Sequence, residues 1–197
     1  MDKDRRRREI LSAVLALLRE GGVEAVTTAR IAARAHCSKE TLYTWFGDRA
    51  GIFQALVAEQ SAHINAMLAR ETTGDAPARE TLVSAGAALL DLLTGEASLA
   101  INRAAMADGS GELADDLRAQ GRERTMPLFT TLIARMQEEG VLAAGDTGAQ
   151  FATFYGLLIS DRQIRALLGD RAARPAAGEF ETVARAAVDG LVAIHGR

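Results

Sequence analysis

The sequence predicts an all-α protein, and three observations support this fold class. Alanine, the best helix former, occurs 39 times, whereas proline occurs only 3 times. Apolar residues recur at helical spacing, as Ile10, Val14 and Leu17 illustrate near the N-terminus. Aromatic residues make up 5% of the chain and β-branched runs are few, which disfavours a sheet fold.

Breaking and capping residues divide the chain into about nine predicted helices. Gly21 ends the first helix, Ser38 caps the third, and residues 72–77 form a linker. Pro127 predicts a kink or break near Thr125. The predicted ranges are 4–20, 28–34, 39–45, 49–71, 78–94, 96–108, 112–138, 146–169 and 179–195.

Composition disfavours several classes of protein. A single cysteine, Cys37, forbids an internal disulfide, and no Cys/His spacing predicts a metal site or a cofactor. No apolar run reaches the roughly 18 residues of a membrane span, and no signal-peptide core follows the N-terminus. No Ser/His/Asp set, HExxH motif or phosphate loop indicates catalytic residues. We therefore expect a cytoplasmic protein that is not an enzyme and has no membrane partner.

Charge is distributed unevenly along the chain. Residues 1–50 carry 10 Lys and Arg against 7 Asp and Glu, whereas residues 51–197 carry 13 against 19. A basic segment on an acidic body is typical of a nucleic-acid-binding module attached to another domain. Solvated helix faces produce the same small excess, so charge alone does not decide.

Residues 24–58 contain two short predicted helices joined by a tight connection at 35–37, a pattern that matches a helix-turn-helix. The second helix of such a unit enters the DNA major groove, and the first braces it across the backbone. The expected core is Val26, Ile31, Ala32, Cys37, Leu42 and Phe46. The residues expected to point outward are Lys39, Glu40, Thr41, Tyr43 and Thr44.

The string TTARIAARAHCSKETLYTWFGDRAGIF resembles the DNA-binding domain of the TetR/AcrR family of bacterial repressors. The resemblance implies a three-helix helix-turn-helix domain at 1–48 and a helical effector-binding and dimerisation domain at 49–197, closest to AefR-like or AcrR-like members. The turn departs from the family's usual Ala-Gly-Val, which places His36 where a left-handed residue is expected.

The resemblance also implies roles for individual residues at the DNA. The predicted phosphate contacts are Thr27, Thr28, Ser38, Tyr43 and Arg49. Lys39 and Thr41 are expected to reach base edges, and Glu40 occupies the other variable position. Trp45 either packs against the sugar-phosphate backbone or is buried under the fourth helix. The basic run at 5–8 either attracts DNA or forms a solvated arm.

By the same resemblance, the body binds a small-molecule effector, although plain core packing explains its candidate residues equally well. These residues are Met67, Arg103, Met106, Met126, Phe129, Phe154 and Tyr155. Arg103 is expected to be half-buried and paired with a carboxylate such as Asp91 or with an anionic ligand. The wide apolar faces of the helices at 146–169 and 179–195 imply a homodimer through a four-helix bundle.

These inferences predict a DNA-binding transcriptional regulator, specifically a repressor released from a palindromic operator by a small-molecule effector. The rival hypothesis is a helical ligand-binding protein or enzyme with a vestigial helix-turn-helix, which has no duplex affinity at low salt. A repressor without an effector is distinguished by a body that contains no cavity.

Overall fold

The computed structural model of the chain describes residues 3–71 and 76–197, and the named elements of this part are helical, which confirms the all-α class. The α-helices are α1 Lys3–Gly21, α2 Thr28–Arg34, α3 Lys39–Phe46, α4 Arg49–Glu71, α5 Ala78–Thr94, α6 Glu96–Ala107, α7 Glu112–Leu117, α8 Glu123–Glu138, α9 Thr147–Ile159, α10 Arg162–Leu167 and α11 Phe180–His195. Short 3₁₀ helices lie at Val23–Ala25 and Arg171–Ala173, and a π-helical segment lies at Arg118–Arg122. Most of the linker predicted at 72–77 is outside the described residues.

Two predicted helices are divided, so the described residues contain eleven α-helices rather than nine. The stretch at 112–138 consists of α7, the π-helical segment and α8. Helix α8 continues through Thr125, so the expectation of a break there is wrong, while a kink stays a prediction. Pro127 lies inside α8, where its missing N–H removes one hydrogen bond without ending the helix. Ser160 ends α9 with a φ of 47° and separates it from α10.

The chain forms two compact units, and their bounds differ from those of the predicted domains. The head unit comprises Met1–Ser61 and Glu96–Glu123, and the body unit comprises Ala62–Gly95 and Arg124–Arg197. Helices α6 and α7 thus group with the N-terminal helices, although they follow α5 in sequence. The domain boundary between residues 48 and 49 stays a prediction.

The head unit has an apolar core to which α1–α4, α6 and α7 all contribute. Ile10 and Val14 of α1 lie on one helix face and are fully buried. The expected core residues of the helix-turn-helix that are buried are Val26, Ile31, Ala32, Leu42 and Phe46. Cys37 is partly buried against the same core. One face of α3 is buried in this core, so the opposite face is exposed and available to contact a partner.

In the body unit, α5, α9 and α11 pack closely around a second apolar core. Gly86 of α5 permits this approach, since a Cβ there would lie 2.8 Å from the ring of Phe154 and 3.3 Å from Ala184. The N-terminus of α5 is capped by Glu139, whose two carboxylate oxygens accept from the Ala78 N–H at 3.1 Å.

Candidate nucleic-acid interface

Helices α2 and α3 form the predicted helix-turn-helix, and a hydroxyl cap starts each of them. Thr27 Oγ1 accepts a hydrogen bond from the Arg30 N–H at 3.3 Å. Ser38 Oγ accepts from the Thr41 N–H at 3.0 Å and lies 2.9 Å from the Thr41 hydroxyl. Between the helices, His36 has a φ of 50°, which confirms the predicted left-handed residue.

Helix α3 has one buried and one exposed face. Leu42 and Phe46 are 1% and 8% exposed and anchor the helix in the head core. Lys39 and Glu40 are exposed at its first turn, and the Tyr43 side chain is 54% exposed one turn later. An amine, a carboxylate and a phenol are therefore accessible along the exposed face of a helix narrow enough for the major groove.

The remaining candidates in and beside α2 and α3 differ in their exposure to solvent. Thr28, Thr41 and Trp45 are half-buried, and Trp45 packs against the head core. Thr27 and Ser38 stay exposed although their oxygens accept cap hydrogen bonds. The Thr27 hydroxyl still has its O–H donor, which suits a phosphate oxygen. In the Ser38–Thr41 pair, whichever hydroxyl accepts the shared bond retains its own O–H in the same way.

Arg49 has partners within the head unit, although the residue is exposed. Its Nη2 donates to the Val23 carbonyl at 3.0 Å, and its guanidinium lies 5.7 Å from the centre of the Phe53 ring. A guanidinium has five N–H donors, so these contacts leave donors for a phosphate. They also give Arg49 a structural role that sequence reasoning did not predict.

Sequence reasoning missed Asp108, which lies at the turn between α6 and α7. Its carboxylate accepts from the Leu113 N–H at 3.1 Å and from the Ser110 hydroxyl at 2.8 Å. These two bonds, in that order, and more weakly the positive charge of Arg49 hold the pKa of the Asp108 carboxyl below its ordinary value near 3.8. No sequence signal links positions 49 and 108, because only the packing of α6 and α7 in the head unit brings them together.

The basic run at 5–8 lies within α1 and is not a disordered arm. The Arg7 guanidinium lies 5.2 Å from the centre of the Phe46 ring. Arg6 bonds to Glu9 on its own helix and to the turn between α2 and α3. Arg5 pairs with Glu9 at 3.9 Å and Arg8 donates to the Asp4 carbonyl at 3.4 Å, so all four arginines have contacts within the head unit that do not involve a nucleic acid.

The predicted effector-binding residues fall into two groups. The side chains that belong to the body core or pack against it are Met67, Met126, Phe129, Phe154 and Tyr155. The Phe129 and Phe154 rings are fully buried, with centres 6.2 Å apart. Arg103 and Met106 instead lie exposed on α6 in the head unit, so Arg103 is not half-buried as expected.

The body unit contains a cavity of about 200 Å³ beside α4 and α5. Its lining residues are Met67, Leu68, Ala76, Glu80, Thr81 and Ser84. Of the predicted effector-binding residues, Met67 is the one that lines it. Its floor contains buried Leu68 and Thr81, while Glu80 and Ser84 are exposed and provide polar groups.

Metal-ligand clusters and membrane-spanning helices would indicate other kinds of function. Among residues 3–71 and 76–197, no group of three or more His, Cys, Asp or Glu is arranged to hold a metal ion. No single described helix is long and apolar enough to cross a membrane; α5 and α6 meet that test only as a bent pair. The phosphate and base contacts predicted for the individual residues stay predictions.

Two family models together match most of the chain. The model of bacterial regulatory proteins of the tetR family matches residues 10–56. The model of the AefR-like transcriptional repressor C-terminal domain matches residues 80–197. A search of curated proteins finds no match.

Solved structures give a consistent result. A TetR transcriptional regulator from Agrobacterium tumefaciens is 32% identical, with 96% of this chain and 94% of that chain covered and a TM-score of 0.76. A protein from Mesorhizobium loti, assigned to the same family, is 21% identical with complete coverage of both chains and a TM-score of 0.79. The regulator FadR from Bacillus subtilis, in complex with stearoyl-CoA, is 15% identical, with coverage of 94% and 97% and a TM-score of 0.73.

Proposed function

The chain belongs to the TetR family of bacterial transcriptional regulators, and on this premise we propose that it is a cytoplasmic repressor that a small-molecule effector releases from a palindromic operator. The observation that carries the proposal is the exposed face of α3 with Lys39, Glu40 and Tyr43. Side chains at the N-terminal end of a reading helix reach base edges in the major groove.

The proposed contacts divide into two classes. The Thr27, Thr28 and Ser38 hydroxyls, the Tyr43 phenol and the Arg49 guanidinium donate to phosphates and set the position of the head. Lys39, Glu40 and Thr41 face base edges and set the sequence preference. Trp45 supports α3 from its partly buried position.

The repressor acts as a homodimer through α9, α10 and α11. Large apolar side chains stay exposed on all three helices: Leu157, Ile164 and Ile194 are 40%, 51% and 61% exposed. Leu157 also packs against Gly190 of α11, where a Cβ would lie 3.0 Å from its Cδ1. A two-fold dimer presents two copies of α3 to the two half-sites of a palindrome.

The cavity beside α4 and α5 is the proposed effector site. The apolar part of its lining, Met67, Leu68 and Ala76, favours an effector with an apolar portion, as in the stearoyl-CoA bound by the Bacillus subtilis regulator. About 200 Å³ is less than the roughly 300–1,000 Å³ of a typical small-molecule site. An effector therefore displaces the lining side chains of α4 and α5 as it enters.

Helix α4 carries the displacement toward the DNA. It begins at Arg49 in the head unit and supplies Met67 and Leu68 to the cavity in the body unit. A shift of this continuous helix changes the fraction of dimers whose two head units can bind both half-sites at once. A coupling free energy of roughly 1–3 kcal/mol changes operator occupancy several-fold or more.

Duplex binding tests the central claim. Selection from a random duplex pool at low salt is expected to give a palindromic consensus, which fluorescence anisotropy then shows to bind more tightly than a scrambled duplex. Arg124→Ala, which removes an exposed positive charge from α8, outside the proposed dimer helices, serves as a control for nonspecific electrostatics. If the wild-type protein binds no duplex at low salt, the helix-turn-helix is vestigial and the proposal fails.

Release from the duplex tests the effector site. Fatty acyl-CoA and free fatty acid probes are expected to raise the unfolding midpoint and to lower duplex affinity, because a ligand stabilises the state it binds. Met67→Glu places a charge in the cavity lining and abolishes both effects while duplex binding persists. Met106→Glu, which changes an exposed residue of α6, leaves both effects of the probes intact.

A further inference from the structure

Arg6 contacts the turn that joins the two helices of the helix-turn-helix. Its Nη2 donates to the Ala35 carbonyl at 2.7 Å and to the His36 carbonyl at 2.8 Å, and its Nη1 donates to Glu9 at 2.8 Å. The side chain is 18% exposed, although it lies in a run of four arginines near the N-terminus. Its guanidinium is therefore directed into the protein rather than toward solvent.

The Ala35 and His36 carbonyls belong to the part of the turn whose backbone conformation is least stable by itself. Ala35 is the C-cap of α2, where carbonyl oxygens lack helical partners and carry the negative end of the helix dipole. His36 has a φ of 50°, which costs more for a residue with a Cβ than for glycine. A guanidinium that binds both carbonyls stabilises this conformation at the residue that adopts it.

The conformation of this turn sets where α3 begins. Ser38 follows His36 by two residues and caps α3 by accepting from the Thr41 N–H. The first exposed side chains of α3, Lys39 and Glu40, come immediately after that cap. A change in the turn therefore moves the residues that face base edges.

We infer that Arg6 is a positioning residue for the reading helix: it fixes the direction of α3 through the turn carbonyls, so that sequence discrimination depends on it. This inference rests on the proposed DNA-binding function. It differs from a phosphate contact, which weakens binding to all duplexes equally. It also differs from a purely stabilising contact, which changes unfolding without changing discrimination.

The neighbouring arginine provides a matched control. Arg5 is on the same helix and carries the same charge, but its side chain is 63% exposed and it pairs with Glu9 at 3.9 Å. Arg5→Gln and Arg6→Gln thus remove one positive charge each, and Arg6→Gln alone removes the bonds to the turn. Arg6→Lys retains the charge but not the planar donor pair.

Affinity is measured for the duplex selected by the wild-type protein and for a scrambled duplex of equal length. Arg6→Gln is expected to lose on the order of tenfold in affinity for the selected duplex and much less for the scrambled one. Arg6→Lys shows most of the same loss, and Arg5→Gln weakens both duplexes alike. If Arg6→Gln instead matches Arg5→Gln on both duplexes, Arg6 is an electrostatic anchor and the inference is wrong.

The variant His36→Gly tests whether Arg6 acts on duplex discrimination through the turn. Because glycine adopts a positive φ without a Cβ penalty, the turn in His36→Gly depends less on Arg6. The loss caused by Arg6→Gln is therefore expected to shrink in the His36→Gly background. An equal loss in both backgrounds overturns the proposed route through the turn.

A readout without DNA separates this inference from the proposed function. Trp45 of α3 is the only tryptophan in the sequence, so its emission reports on this helix. Arg6→Gln is expected to increase acrylamide quenching of Trp45 in the free protein, whereas Arg5→Gln is not. Unchanged quenching overturns the positioning role, whereas absence of wild-type duplex binding contradicts the proposed function instead.

Discussion

At the scale of single residues, the two side chains that open α3 have opposite hydrogen-bonding chemistry. Lys39 offers three donors and no acceptor, whereas an ionised Glu40 offers only acceptors. Lysine matches the O6 and N7 acceptors of guanine, and glutamate matches the N4 donor of cytosine. Both residues are exposed at the first turn of the helix. Their adjacency therefore favours a half-site that contains G·C pairs.

Lys39→Ala is expected to cost about 1–3 kcal/mol on the preferred duplex and much less on scrambled DNA. The physical reason is that the ammonium reaches a guanine edge only when the correct base is present. Site selection from a random duplex pool with wild type and variant measures the change in consensus. The only other lysine in the sequence, Lys3 of α1, gives the control Lys3→Ala, which removes the same charge from a different helix.

An unchanged consensus with an equal loss on every sequence would assign Lys39 to a phosphate. In that case the slope of log affinity against log salt concentration decreases in magnitude by about one, as for any lost phosphate contact.

Residue contacts were predictable from the sequence where they are local. Thr27 and Ser38 were predicted as caps because a cap bonds to a backbone N–H only three residues away. The left-handed conformation of His36 followed from the resemblance, because His36 stands where the family's turn usually has glycine. The bonds of Arg6 to the turn span 29 and 30 residues, and no local pattern encodes them.

At the scale of elements, the turn between α6 and α7 depends on one carboxylate. Asp108 accepts hydrogen bonds from the Ser110 hydroxyl and from the Leu113 N–H in the first turn of α7. An anion at a helix N-terminus is also stabilised by the helix dipole. Because α7 is only six residues long, its position depends strongly on this cap.

Asp108→Asn is expected to lower the midpoint of thermal unfolding at pH 7, because the charge that strengthens these bonds is lost. Bonds from the Leu113 N–H and the Ser110 hydroxyl, with a smaller effect of Arg49, lower the folded-state pKa of Asp108. The stabilisation is therefore complete above the unfolded-state pKa and is lost as pH falls through the folded-state pKa. Melting curves by circular dichroism should show the difference shrinking below about pH 4.

Asp115→Asn is the control for this prediction, since it removes a carboxylate of the same α7. Asp115 pairs with Arg118 at 2.9 Å, but its side chain is 76% exposed, and such surface pairs contribute little. A midpoint that falls equally in both variants, or a difference that persists in acid, would contradict the role of Asp108.

Helix boundaries followed from the sequence where a strong local breaker exists. Gly47, with a φ of 78°, ends α3, and the Asp48 carboxylate accepts from the Gly51 N–H at the start of α4. The division between α9 and α10 was not predicted, because Ser160 adopts a positive φ without a glycine to signal it. The π-helical segment at Arg118–Arg122 likewise lacks a breaking residue that marks its start.

At the scale of the whole molecule, a single copy of α3 reads too few base pairs to specify one operator. Two heads in a symmetric dimer read two half-sites about one helical turn apart. The exposed apolar side chains of α9 and α11 are suited to burial in such an interface, which typically buries about 800 Å² per partner. We therefore expect that a substitution which prevents dimerisation also abolishes specificity for the operator.

Ile194→Asp tests this coupling, because Ile194 is 61% exposed on α11 and contributes little to the body core. A charge buried against its symmetry mate is costly without a partner, so the variant is expected to be monomeric at micromolar concentration. Light scattering should then give a mass near 20.9 kDa rather than twice that value. Affinity for the palindromic duplex should fall by on the order of 100-fold, since the second half-site no longer adds to binding.

Met106→Asp distinguishes loss of the interface from a general effect of placing a charge on an apolar surface site. Met106 is 66% exposed, but it lies on α6 of the head unit, which does not include the predicted dimer helices. This control should remain dimeric and bind the palindrome normally. A half-site duplex completes the design, because Ile194→Asp and wild type should bind it with similar affinity if the heads are intact. A dimeric Ile194→Asp would move the interface away from this part of α11, and a monomeric variant with full palindrome affinity would show that one head suffices.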